Sequence, residues 1–247
     1  MATKWISHRG ESYDAPENTV PAFRLSQEKH TDGMECDIYF TNDGKVVCNH
    51  DGDTGRVSGN FIKAAVSESS FAGLQCIDVS NGKKGYEGTR IPLFIDTLPY
   101  LGAGREYYVE IKKGDLNMAP ELIRIIDDSG IPEEQIVMIC FDDAVVKFYK
   151  ELAPGRKALL LVGSAPEVPE LIERLKACHA DGVDIRFSDN IDADYVAAVR
   201  AAGFSFAVWT VDTPDVAGKY LKLGVDAITS NRAAWLRDMF SADKQTK

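Results

Sequence analysis

The sequence predicts an α/β protein, a TIM-type (β/α)8 barrel with a small insertion after the second strand, and three observations carry that prediction. Short runs rich in Val, Ile, Phe and Tyr alternate along the chain with segments of helical period. Several helical segments begin with Asp, Asn or Pro and end in Gly, as capped helices do. The length, 247 residues, is ordinary for one barrel domain spanning 1–247. Strand–helix alternation at this density implies parallel strands joined by crossover helices. A doubly wound open sheet is the alternative.

In chain order, WISHRG (5–10) reads as the first strand and TVPAFRLSQEKH (19–30) as the first helix. MECDIYF (34–40) is the second strand, with KVVCNH (45–50) as its extension. Residues 52–90 break the rhythm: they are rich in Gly and Ser and show no long periodic face. A segment of this length is expected to be an insertion over the C-terminal mouth of the barrel. The remaining strands are EYYVEIK (106–112), QIVMICF (135–141), KALLLVG (157–163), GVDIRFS (182–188), FSFAVWTV (204–211) and DAITS (226–230). Helical segments at 118–130, 143–155, 169–182, 192–203 and 215–224 lie between them. The tail SADKQTK (241–247) is expected to be disordered.

Composition narrows the possible functions. A hydrophobic content of 45% with 27% charged residues is that of a globular protein, and no run reaches the ~20 apolar residues of a membrane helix. A net charge of −10 opposes nonspecific binding to nucleic acid or to an anionic membrane. An anionic small-molecule substrate would therefore need a metal or a few converging basic groups. The five cysteines show no CxxC spacing and are expected to be reduced thiols in core positions. MATKWISHRG contains no charged-then-apolar signal segment, so the protein is either cytoplasmic or has lost a leader. Oligomeric state is not readable.

Period-two alternation places Glu35, Asp37 and Tyr39 on one side of their strand, with Met34, Cys36, Ile38 and Phe40 on the other. The same alternation pairs Glu110 with Lys112, opposite Val109 and Ile111. If the apolar sets pack against the outer helices, three carboxylates on neighbouring strands face the barrel axis. They would form an oxygen cage for a hard divalent cation. Structural ion pairs, such as Glu110 with Lys112, are the alternative. Of the four histidines, His30 and His179 lie near helix C-termini and suit capping or surface roles. His8 and His50 end strands at the edge where barrel active sites form, and could serve as general acid and base.

These residues belong to a longer ordered set: HRG (8–10), PENT (16–19) followed by Ala22 and Phe23, ECD (35–37), NDGKVVCNHD (42–51), VEIK (109–112) and WTV (209–211). Together they resemble the glycerophosphodiester phosphodiesterase family over nearly the whole chain. The resemblance implies a TIM barrel with an insertion after the second strand and hydrolysis of glycerophosphodiesters to glycerol 3-phosphate and an alcohol. Glu35, Asp37 and Glu110 would bind one divalent cation, Mg2+ or Ca2+, and His8 and His50 would be the acid–base pair. Arg9 would hold the phosphate, with Lys112 as a second positive charge or simply the neutraliser of Glu110. Trp209 would line the alcohol side of the pocket unless it is a core aromatic, and Asn18 and Thr19 would cap and orient the first helix. Two positions depart from the family pattern: Asn231 stands where an acidic residue is usual, and Cys140–Phe141 stands for the usual Ser–Phe. The alternatives are a phospholipase D-like enzyme of the same fold acting on lysophospholipids and a non-catalytic phosphate-binding barrel. The acidic balance disfavours the first, and the intact histidine and carboxylate set disfavours the second.

Overall fold

The structure, a computed structural model, describes residues 2–245. Among the described residues there are nine strands: β1 (Lys4–Ser7), β2 (Gly33–Phe40), β3 (Val46–Cys48), β4 (Glu106–Ile111), β5 (Ile136–Cys140), β6 (Lys157–Val162), β7 (Gly182–Arg186), β8 (Ser205–Trp209) and β9 (Ala227–Ser230). The helices are α1 (Val20–Glu28), α2 (Phe71–Leu74), α3 (Met118–Ser129), α4 (Asp143–Leu152), α5 (Val168–Ala177), α6 (Ala193–Ala201), α7 (Pro214–Leu223) and α8 (Ala233–Gln245). All strands except β3 run parallel in the order β1-β9-β8-β7-β6-β5-β4-β2, and β1 pairs with β2 to close an eight-stranded TIM barrel.

The pleat separates two apolar layers. Met34, Cys36, Ile38, Val109, Ile111, Met138 and Val183 join the outer core beneath the helices. Ile6, Tyr108, Val137, Ile139, Leu159, Leu161, Ala207 and Ala227 fill the barrel interior. Each strand residue next to an outward apolar one therefore points inward, and β2 and β4 use those inward positions for Glu35, Asp37 and Glu110. Cap chemistry delimits the helices as expected: Asp142 and Asp192 accept from the backbone N–H groups of Ala144 and Tyr195, and Gly130 and Gly224 end α3 and α7 in the left-handed conformation.

Four features differ from the sequence reading. KVVCNH does not extend β2. The chain reverses at 41–45, and β3 returns antiparallel, with Ile38 opposite Cys48 and Phe40 opposite Val46. Between β3 and β4 the helix layer is supplied by a 3-10 helix, Phe94–Tyr100, whose Phe94 packs against Tyr107 at 5.6 Å between ring centroids. The tail is not disordered where it is described: α8 runs through it to Gln245, and Phe240 stacks on Trp5 at 6.2 Å. Thr246 and Lys247 lie outside the described residues. Cys76 is exposed, whereas the other four cysteines are buried, and all five are free.

The segment after β3 builds a small core of its own, in which Val57, Val66, Leu74, Ile77, Val79 and Ile91 pack on Tyr39 and Val47 of the β2–β3 hairpin. It also reaches the loop after β1. Arg56 pairs with Glu17, and Lys83 Nζ donates to the carbonyls of Ser12 and Tyr13. Among the described residues no helix is long and apolar enough to cross a membrane.

Candidate active site

The C-terminal ends of β1, β2 and β4 carry the charged groups. Register places Asp37 opposite Glu110, with Glu35 two residues deeper on β2, opposite Tyr108. Ligand-capable atoms of Glu35, Asp37 and Glu110 all lie within 4.8 Å of one another, and all three residues are buried. Like charges this close cannot all remain ionised without compensation. Burial, followed by repulsion from Asp37, raises the Glu35 pKa well above the usual carboxylate range and pushes Glu110 up to about 8. Burial also opposes ionisation of Asp37, but the charges of Arg9, Lys112 and His50 outweigh it and hold that carboxyl below its usual value.

The cage is held from three sides. Arg9 adopts φ +56°, its backbone N–H donates to Glu35 Oε2 at 2.8 Å, and its Nη1 donates to Glu17 Oε1 at 2.9 Å. Its Nε approaches Asp37 Oδ2 at 3.2 Å without hydrogen-bond alignment. Gly10 makes this turn possible: at φ +74° a Cβ would lie 2.6 Å from Ala22 Cβ, so only glycine lets the loop pack on α1. Lys112 Nζ lies 2.7 Å from Glu110 Oε1 and 3.3 Å from Asp37 Oδ1. Asn18 faces the cage instead of capping α1. Its Nδ2 donates to Asp37 Oδ2 at 2.8 Å and its Oδ1 accepts from the Asp37 N–H at 3.2 Å. Thr19 occupies the cap position, but its hydroxyl donates to the Pro16 carbonyl and not the helix.

Both histidines sit at this mouth with defined tautomers. Asn231 Nδ2 donates to Asp212 Oδ2 at 2.6 Å, which turns Asn231 Oδ1 toward His8. His8 Nδ1–H donates to that oxygen at 2.7 Å, leaving the lone pair on Nε2, 3.9 Å from Glu35 Oε2. Burial, followed by the Arg9 charge, lowers the His8 pKa to about 4. His50 follows β3 and comes beside the cage because Asn49 N–H bonds to the Asp37 carbonyl at 3.0 Å. Its Nδ1 contacts Asp51 Oδ1 at 2.7 Å, and Asp51 is in turn held by Arg56 Nε at 2.8 Å. Burial lowers the His50 pKa, while Asp37 and the Asp51 hydrogen bond oppose that shift. His30 and His179 are exposed, in left-handed conformations just beyond α1 and α5, away from the cage.

Trp209, at the end of β8, is half-buried. Its Nε1 donates to the Asp184 carbonyl at 3.0 Å, and its ring meets the exposed Phe141 edge-on at 5.7 Å. Cys140 points outward with its thiol pushed up to about 12 by burial, which makes it a packing residue. The residues that the sequence reading did not weigh are Glu17, Asn49, Asp51 and Asp212. The first three lie inside the recognised motifs, at PENT and NHD, and Asp212 follows WTV directly.

An all-oxygen, buried, mutually repelling donor set fits a hard divalent cation. Asp37 Oδ1 supports that fit, because it is buried without a hydrogen bond and has only the Lys112 ammonium beside it at 3.3 Å.

A model of the glycerophosphoryl diester phosphodiesterase family matches residues 8–234. Among curated proteins, the chain is 28% identical over 239 residues to a glycerophosphodiester phosphodiesterase of Caldanaerobacter subterraneus subsp. tengcongensis, covering 94% of this chain and 95% of the relative. Among solved structures, an Oleispira antarctica phosphodiesterase in complex with sn-glycerol-3-phosphate superimposes with a TM-score of 0.89 at 21% identity, covering 97% of each chain. An Agrobacterium tumefaciens protein described as a glycerophosphoryl diester phosphodiesterase gives 0.88 at 22% identity, covering 99% of this chain and all of that one.

Proposed function

The chain belongs to the glycerophosphoryl diester phosphodiesterase family, whose named members are phosphoric diester hydrolases, and we propose that it cleaves glycerophosphodiesters to glycerol 3-phosphate and an alcohol with one divalent cation and a histidine acid–base pair. One observation carries the reading: three buried carboxylates, two histidines, an arginine and a lysine converge on one barrel mouth. The product named in the Oleispira antarctica complex, sn-glycerol-3-phosphate, matches the product proposed here.

Glu35, Asp37 and Glu110 would hold the cation, Mg2+ or Ca2+, which when bound would supply positive charge to offset that on the phosphoryl oxygens. Arg9 and Lys112, both beside Asp37, supply the remaining positive charge for the phosphate, and the planar guanidinium suits its geometry. His8, neutral at physiological pH with its lone pair on Nε2, takes the proton from the attacking hydroxyl or water. His50, whose ring is backed by the Asp51 carboxylate, gives a proton to the departing alkoxide. The segment 52–90 covers the mouth on the His50 side and steadies Arg9 through the shared partner Glu17. Trp209 braces Phe141, which lines the cleft beside the cage.

The variants His8→Ala and His50→Ala test the acid–base roles. Each is expected to lower turnover at least roughly 10²-fold, the lower bound for general acid–base help, with an unchanged circular dichroism spectrum. Near wild-type turnover in both variants would remove the histidines from the mechanism.

A further inference from the structure

Beside the carboxylate cage the mouth opens into a cleft of about 540 Å³ between the ends of β4 and β5, lined by Glu110, Ile111, Gly114, Phe141, Asp142 and Asp143. Because Glu110 belongs both to the cage and to the cleft wall, a group lodged there adjoins the phosphate. The charges along the wall do not cancel. Glu110 is paired with Lys112 at 2.7 Å, and Asp143 with Arg174 at 2.7 Å. Asp142 has no cation within ion-pair distance among the described residues. Its Oδ1 caps α4 by accepting the Ala144 N–H at 2.8 Å. Its Oδ2 lies where a Cβ on Gly114 would clash with it, so glycine at 114 leaves room for this carboxylate at the cleft. Next to it, Phe141 leaves 45% of its surface exposed while its ring is braced edge-on by Trp209 at 5.7 Å. A partly exposed aromatic ring beside an unpaired carboxylate, both lining one cleft, is the chemistry that recognises an organic cation.

On the proposed hydrolase reading, we infer that this cleft receives the alcohol half of the diester and selects an alcohol bearing an ammonium group. The neighbouring cleft, between the ends of β6 and β7, differs in kind. It too presents a partly exposed aromatic, Phe187, but beside Arg186, Ser164, Ser188 and Asn190 in place of a carboxylate, and Arg186 has no carboxylate partner among the described residues. Its donors and acceptors suit uncharged hydroxyls, and its guanidinium repels an ammonium.

The test compares kcat/KM for glycerophosphocholine, glycerophosphoethanolamine and glycerophosphoglycerol in the wild type, Asp142→Asn and Phe141→Leu. Asparagine keeps the side-chain oxygen that caps α4, so the helix start is preserved. The wild type is expected to prefer the two cationic diesters. Asp142→Asn should reduce that preference about five- to tenfold and Phe141→Leu about threefold, chiefly through KM, as partly exposed charge and cation–π contacts allow. A wild-type preference for the uncharged alcohol, or ratios that neither variant changes, would overturn the cleft assignment and leave the hydrolase reading standing. No turnover of any of the three would overturn the hydrolase reading and the cleft assignment with it.

Discussion

Asp37 is the residue on which the site turns. It touches Arg9, Lys112 and Asn18, so it stays ionised while Glu35 and Glu110 are driven toward their neutral forms. The alternation within MECDIYF shows that its carboxylates share a face, because period two is a property of any strand. It could not show that Asn18 reaches Asp37 across the loop, because an Asn just before a helix is equally well explained as a cap. Asn231 is a departure with a readable consequence. Burial and the Arg9 charge lower the His8 pKa to about 4, and the neutral amide of Asn231, oriented by Asp212, opposes that shift only through a hydrogen bond, whereas a carboxylate there would favour the imidazolium. Exchanging the pair as Asn231→Asp with Asp212→Asn keeps the bridging hydrogen bond and moves the negative charge onto His8. Since His8 must be neutral to act as a base, activity is lost as pH falls through its pKa. The exchange should therefore move the acid limb of the kcat/KM profile to higher pH, by roughly one unit for an adjacent carboxylate. A limb that stays in place or moves lower would contradict the assignment of His8 as the base.

At the scale of elements, the β1–α1 loop and the β2–β3 hairpin bring the charged groups of the candidate site together. Left-handed Arg9 and Gly10 turn the chain so that one residue's backbone and side chain both face the cage, and the close approach to Ala22 is what glycine permits. Gly10→Ala should lose roughly 2–4 kcal/mol of stability, combining left-handed strain with overpacking, and should lose activity with it because Arg9 is displaced. Denaturant unfolding measures the first effect; a wild-type midpoint and slope would show that the loop tolerates a Cβ. The hairpin was the element least legible in sequence. KVVCNH has strand composition in either direction, and only the reversal at 41–45, seen in three dimensions, makes β3 antiparallel and carries His50 back to Asp37. The 3-10 helix at Phe94–Tyr100 was hidden for a related reason: Pro99 and the short apolar run spoil the 3.6-residue period.

Across the whole molecule, closure of eight parallel strands leaves one interior, and polar groups in it have no solvent to fall back on. The eight barrel strands and the six helices that were read lie where periodicity and cap residues placed them, because those signals are local. The end of α8 was not legible, since SADKQTK has no apolar face and is held by the packing of Phe240 on Trp5 upstream. Asp184 shows what burial does away from the site. It lies on β7 among the inward positions, its Oδ1 has no hydrogen bond, and burial raises its pKa to about 7, with Lys157 opposing. An aspartate whose folded pKa is raised stabilises the fold below its unfolded pKa of about 3.9, and that contribution is lost as pH rises toward 7. Asp184→Asn removes the titration. Its Tm relative to the wild type should therefore increase by several degrees between pH 5 and pH 8, and a pH-independent difference would place a compensating charge beside Asp184.

The central claim is that the carboxylate cage serves a cation-dependent phosphodiesterase. The most direct measurement is release of glycerol 3-phosphate from a small panel of glycerophosphodiesters by the wild-type protein, in a coupled assay, with and without EDTA. Release that stops on chelation and returns with added Mg2+ or Ca2+ is the predicted result, and release that survives chelation would contradict it.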